Sequence, residues 1–211
     1  MPVSRLSHAF RRGARVIAGA AGIGFALLAV VSAAAAPRPA ASHLEPISTA
    51  PAPAGMGDLC NRRPWVCAAG ATRARASAAA LALARSVNRS VNRAVREVSD
   101  AQQYGREDVW DLPTARGGDC EDFALAKKKR LIDAGLPSGA LLLATVLDRR
   151  REHHAVLVLR TADQDFVLDN LTDRVLPWHQ TGYSFLRMQD PASPRRWNAI
   201  AAGGIFAAAG G

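Results

Sequence analysis

The sequence predicts an α+β fold in which a helical N-terminal part packs on an antiparallel sheet. Three observations carry this. Apolar residues recur at helical spacing from Ala71 to about Tyr104, a second helix is bounded by sharp start and stop signals around Cys120 to Ala134, and the period changes to that of strands from Leu141 onward. Helices first and strands afterwards argue against an alternating parallel sheet. No internal repeat is visible.

Taken in order, the first 36 residues read as a targeting segment. Arg5, Arg11, Arg12 and Arg15 form a basic start, Val16 to Val31 is almost wholly apolar, and Ser32 to Ala36 offers small residues before Pro37. That pattern is a secretory signal. An uncleaved membrane anchor is the competing reading, because the apolar run extended to Ala36 approaches the ~20 residues a bilayer needs. Gly19, Gly22 and Gly24 weaken its hydrophobicity and favour cleavage. Arg11-Arg12 carries a weak hint of twin-arginine export. Residues 37–57, rich in Pro, Ala and Ser, read as a flexible linker. A single domain is expected over 58–200, acting as a monomer, with a C-terminal tail over 201–211.

Removing the signal takes four arginines and no acids, so the formal charge falls from +9 to +5 over roughly 175 remaining residues, enough for one domain with a sizeable core. The charge is dispersed, with Lys127 to Arg130 as its longest run. An exported chain without aromatic and basic interleaving is a poor nucleic-acid binder. The charge reads as a solvated surface, favouring acidic partners or the envelope, with membrane contact only through the signal or an uncleaved anchor.

The three cysteines divide by their surroundings. Cys60 and Cys67 bracket C-N-R-R-P-W-V-C, where Pro64 favours a turn that brings the sulfurs together, and a disulfide is expected in an oxidising compartment. A zinc site is the rival, but no nearby histidine or second cysteine pair completes four ligands. Cys120 is then left over, either packed and inert or reactive.

The stretch from Ala71 to Tyr104, with Ala80, Leu83, Val87, Val91, Val95 and Val98 in phase, predicts one long helix or two in series. Asn88 and Asn92 lie one turn apart on it and read as a polar face rather than a site. Gly117-Gly118 breaks the chain. Asp119 suits the cap of a helix over Cys120 to Ala134, which Gly135 and Pro137 end. A thiol in a first helical turn is helped toward the thiolate by free backbone N–H groups and the macrodipole. Asp119, Glu121 and Asp122 oppose that ionisation, so something must neutralise them. Ion pairs with Lys127 to Arg130 and a bound Ca²⁺ are the two candidates.

Strands are predicted over Leu141 to Leu147, His154 to Arg160 and Asp165 to Leu168, with a hairpin turn at Thr161 to Gln164 and a further strand within Trp178 to Met188. A cysteine nucleophile needs a base, and the base needs an orienting partner. His154 opens one strand of the hairpin and Asp169 closes the next, which sets them opposite each other or one diagonal step apart. The other reading makes His153 and His154 two exposed histidines at a loop end.

The stretch Y-G-R-E-D-V-W-D-L-P-T-A-R-G-G-D-C-E-D-F-A-L-A-K-K-K-R-L, followed by H-A-V-L-V-L and D-F-V-L-D-N-L, resembles the bacterial transglutaminase-like cysteine peptidases. That family includes a calcium-dependent periplasmic protease that releases large surface adhesins. The resemblance covers about residues 58–200, including C-N-R-R-P-W-V-C and W-H-Q-T-G-Y. It implies a papain-like, transglutaminase-type fold with Cys120 as nucleophile, His154 as general base and acid, and Asp169 as its orienting partner. It also implies that Asp119 and Glu121 help hold Ca²⁺. The segment from Trp110 to Cys120 looks shorter than in the adhesin-releasing enzyme, and Trp110 and Trp178 either wall the cleft or belong to the core.

The expected function is therefore a periplasmic thiol hydrolase that cleaves peptide bonds of an envelope or surface protein through an acyl-enzyme. Amide transfer to an amine is one alternative. A non-catalytic envelope binding module that kept the fold, with Cys120 as a packed thiol, is the other.

Overall fold

The strand run after Leu141 forms the centre of a seven-stranded antiparallel sheet in the computed structural model. The structure describes residues 42–69 and 77–207. The expected signal or anchor, residues 37–41 of the expected linker, the start of the first predicted helix and residues 208–211 lie outside the described residues. Among the described residues no helix is long and apolar enough to cross a membrane.

In chain order the elements are β1 (Ser48–Ala50), α1 (Leu59–Arg62), α2 (Ala78–Ala94), α3 (Asp100–Tyr104), α4 (Cys120–Asp133), β2 (Leu141–Leu147), β3 (His153–Arg160), β4 (Asp165–Leu168), β5 (Leu176–Pro177), β6 (Ser184–Gln189), β7 (Trp197–Ala202) and α5 (Gly204–Ala207). The sheet order is β1-β7-β6-β2-β3-β4-β5.

Both faces of the central strands are buried, which is why β2 and β3 read as nearly continuous apolar runs. Leu141, Leu143, Leu157 and Leu159 face a core shared with Val87 and Val91 of α2 and Leu125 and Leu131 of α4. Leu142, Val146, Val156 and Val158 face a second core with Phe185, Trp178 and Ile200. The long apolar period before Tyr104 resolves into α2 and α3, with Val95 extended between them and the Ser99 hydroxyl accepting from the Gln102 N–H. Helix α4 ends as its sequence predicts. Gly135 takes φ 91°, and the N–H of Leu136 reaches back to the Leu131 carbonyl at 3.0 Å.

Three expectations are corrected. The linker expectation fails over residues 42–57: Leu44 is buried with its N–H on Asp165 Oδ2 at 2.8 Å, and β1 pairs with β7 through Ser48 and Ala199. A three-residue edge strand is too short to show a period, so composition alone suggested a linker. The tail expectation also fails, because β7 continues to Ala202 and α5 follows it; the Ile205 N–H donates to Ser184 Oγ at 3.0 Å. Third, Trp178 to Gln180 is a 3-10 turn, and the strand begins only at Ser184, after Gly182 turns the chain at φ 76°. Trp178 stands edge-on to Phe185 in the second core, 5.9 Å between ring centroids, and the cleft walls do not include it.

Candidate active site

The β3–β4 hairpin brings His154 and Asp169 together. Leu157 pairs with Leu168, so the same register carried one step further sets Asp169 against Val156, one diagonal step from His154. The side chains close that step: His154 Nε2 and Asp169 Oδ1 are 2.9 Å apart, and both residues are buried. His153, beside it, is exposed. With Nε2 engaged by the carboxylate, Nδ1 is the ring nitrogen left for a reacting group.

Asp169 is held from every side. Its Oδ1 also accepts from the Leu171 N–H at 3.0 Å, and its Oδ2 accepts from the Tyr183 hydroxyl. Burial by itself would raise its pKa, but the bonds from His154 and Tyr183 outweigh that and hold it below the ordinary carboxylate value. Its backbone is tied to α2: the Asp169 N–H donates to Asn88 Oδ1 at 3.1 Å, and Asn92 Nδ2 donates to the Asp169 carbonyl at 3.0 Å. The two asparagines read as a polar helix face are thus anchors for the loop that carries Asp169. Helical spacing announced their shared face but not what it met. Tyr183 sits within W-H-Q-T-G-Y, a block singled out only as part of the resemblance.

Cys120 opens α4, where Gly117 and Gly118 let the chain pack tightly. Gly117 lies at φ 128° against the Arg96 carbonyl, and a Cβ on Gly118 would come within 2.4 Å of Asp122 Oδ2. Asp119 is the first-turn neighbour but not the expected side-chain cap; its Oδ2 accepts from the Asp100 N–H at 3.0 Å. The sulfur is partly buried and donates to Glu121 Oε2 at 3.0 Å. Burial first, and then the Glu121 carboxylate, push the thiol pKa up, while the Ala155 backbone N–H, next along the chain from His154, pulls it down. The expected help from the helix start is thus outweighed in the protein atoms alone.

The neutralising partners expected from Lys127 to Arg130 are not there. Lys127 and Lys128 turn inward and are buried, Lys129 pairs with Asp133 at 2.6 Å, and Arg130 donates to Ser90 Oγ. Lys128 Nζ instead donates to Gln189 Oε1 at 2.8 Å. Among the described residues no lysine or arginine pairs with Asp100, Asp119, Glu121 or Asp122. Burial and mutual repulsion raise the pKa values of Asp100, Glu121 and Asp122. Asp100, Asp119 and Glu121 offer one ligand atom each within 4.8 Å of one another, and Oδ1 of both Asp100 and Asp119 is buried without a hydrogen-bond partner. Orphaned, clustered carboxylate oxygens fit a hard divalent cation. Asp100, 19 residues before Asp119, joins the cluster unannounced by the sequence, where it reads as part of a helix.

Two cavities meet at Cys120 and His154. One, of about 410 Å³, is walled by Pro53, Trp110, Thr145 and Leu186. The other, of about 650 Å³, is polar, with Arg149, Arg150, Glu152 and Thr172 in its walls. An extended peptide crossing from one to the other would pass over the sulfur. Opposite, behind the first cavity, Trp110 stacks edge-on to Trp197, 6.1 Å between ring centroids, so it serves both wall and core. Cys60 and Cys67 form the expected disulfide.

Residues 47–204 match the family described as bacterial transglutaminase-like cysteine proteinase, BTLCP. The chain belongs to that family. Its fold is the α+β, transglutaminase-type arrangement expected from the sequence, and the chain is a cysteine proteinase by family. No curated protein matches it significantly. Among solved structures, calcium-bound LapG of Legionella pneumophila is similar in fold, at 22% identity and a TM-score of 0.50 over 59% of this chain and 71% of that one. EGTA-treated LapG aligns at 24% identity with a TM-score of 0.46, over 53% of this chain and 63% of that one. As a family member this transglutaminase-like proteinase takes a protein substrate.

Proposed function

We propose that this proteinase is an exported peptidase of the periplasm, acting on an envelope or surface protein, with Cys120 as nucleophile, His154 as base and acid, and Asp169 as its orienting partner. The observation that carries the reading is the buried His154–Asp169 bond standing beside a thiol in the first turn of α4, at the meeting point of two cavities. Residues 1–36 serve as the export signal in this reading.

The chemistry follows from the groups present. His154 takes the Cys120 proton, and the sulfur attacks a peptide carbonyl carbon. The oxyanion is stabilised by backbone N–H groups that the start of α4 leaves free. His154 then gives its proton to the departing amine, leaving a thioester that water hydrolyses with His154 again as base. Asp169 keeps the imidazole in one tautomer and steadies its charged form.

Asp100, Asp119 and Glu121 are the residues that would hold a Ca²⁺. Bound there, it would supply positive charge beside a thiol whose pKa burial, and then Glu121, raise. The calcium-bound state of the similar LapG structure supports this assignment.

The test is a Cys120→Ala variant and an iodoacetamide reaction with calcium present. Cys120 of the parent should alkylate much faster than free glutathione, and the variant should lose cleavage of envelope proteins added to it. Slow, glutathione-like alkylation together with cleavage that survives Cys120→Ala would overturn the reading.

A further inference from the structure

We propose that Tyr183 is a positioning residue of this proteinase, whose hydroxyl fixes the plane in which the Asp169 carboxylate meets His154. The inference rests on the reading of Cys120 and His154 as the reacting pair. A carboxylate is two-fold symmetric, and rotation about its last bond exchanges its oxygens at little cost. Oδ1 here serves His154 Nε2 and the Leu171 N–H, so a donor dedicated to Oδ2 is what locks the plane. Tyr183 is that donor, it is buried, and its ring also stands edge-on to the His154 imidazole at 6.1 Å and 84°. One side chain therefore restrains both partners.

The chain is built to present this tyrosine. Thr181 Oγ1 donates to the Trp178 carbonyl at 2.7 Å and accepts from the Tyr183 N–H at 3.1 Å. Gly182 supplies the left-handed turn at φ 76°, and Gly203 packs so closely that a Cβ there would come within 2.5 Å of the Tyr183 carbonyl oxygen. Without the hydroxyl, Oδ2 would be a buried carboxylate oxygen with no donor, and the plane that aims His154 would be free to turn. Filling the core needs only the ring. Satisfying Oδ2 needs the oxygen.

The experiment compares Tyr183→Phe with the parent, calcium present, by the rate of Cys120 alkylation with iodoacetamide and by the downfield proton resonance of His154 Nε2–H. Phenylalanine keeps the ring against His154 and removes only the donor. The expected result is alkylation slowed by roughly ten- to a hundredfold, as for loss of a hydrogen bond to a charged group, with the resonance shifted or broadened and the thermal midpoint lowered by several degrees. Parent-like rate and resonance in Tyr183→Phe overturn the inference. Should that variant fold poorly, fluorotyrosine incorporation gives the answer, since the chain has two tyrosines and a Tyr104→Phe background leaves Tyr183 alone to be labelled. A resonance and rate that ignore the more acidic phenol overturn the inference equally. If the parent itself reacts no faster than glutathione, it is the peptidase reading that falls.

Discussion

Two halves of the site flank Cys120 and are finished to different degrees. On the hairpin side, Asp169 has partners for both carboxylate oxygens, its N–H and its carbonyl, and its pKa lies below the ordinary value. On the helix side, Asp100, Asp119 and Glu121 crowd together, two of their buried oxygens have no partner, and the Asp100 and Glu121 pKa values lie above the ordinary range. Protein atoms complete the first half. The second is left with crowded carboxylates; burial first, and then the Glu121 carboxylate, raise the thiol's pKa, and a cation would cancel the carboxylate part. On the proposed roles, the difference says where control of this enzyme would lie: the base would be held in place by protein atoms alone, and the nucleophile would need charge compensation.

The sharpest way to break the comparison is Asp169→Asn. The amide can accept at one end only, so the imidazole loses its enforced tautomer, and turnover should fall by about a thousandfold or more. Single-turnover cleavage compared with the parent would check this. A loss under tenfold would mean that the hairpin half is less decisive than its bonding suggests.

In the proposed reading calcium acts on the other half. Added Ca²⁺ should raise the thermal midpoint and a chelator should lower it again, by about 2.7 kcal/mol of stability at a hundredfold excess over Kd. Asp119→Asn should blunt that response. Because neutralising the carboxylates also favours the thiolate, calcium should speed alkylation of Cys120. An identical melt with and without the ion would remove the metal from this account.

The smallest effect tests a buried charge outside both halves. Burial lowers the Lys128 pKa from 10.5 to about 7. Between those values the unfolded chain holds a proton that the folded one has released, so this residue makes stability rise with pH from about 7 to 10.5. Lys128→Met should flatten that slope and add on the order of 1 kcal/mol at pH 7. Urea denaturation at pH 7 and 9 would show it; an unchanged slope would mean that the ammonium finds compensation the fold does not reveal.

Much of the hairpin half was readable because its information is local. The apolar runs in H-H-A-V-L-V-L and D-F-V-L-D-N, and the short turn between them, marked β3, β4 and the closeness of His154 and Asp169, while the structure decided between the opposite and diagonal registers. Cys120 was readable for the same reason, from the glycine pair before it and the helix after it. The helix half was only partly readable. Asp119 and Glu121 stand beside the cysteine, but Asp100 arrives from another helix, and the run Lys127 to Arg130 looked like its counter-charge until α4 turned two of those lysines inward. A helical period tells which residues share a face, not what that face meets. Strands β1, β5 and β7 were missed because pieces of two to six residues carry too little pattern.

By itself the sequence determined the main helices and the central strands after them, the disulfide pair, and the cysteine, histidine and aspartate that local turns and caps bring to element ends. The tertiary structure decided that Asn88, Asn92 and Tyr183 hold Asp169, that Asp100 completes an acidic cluster, and that two cavities meet at the thiol. Backbone preferences act over a few residues and are written in the chain. Contacts between residues 14 to 81 positions apart, as these are, depend on how whole elements pack, and only the assembled sheet and helices fix them.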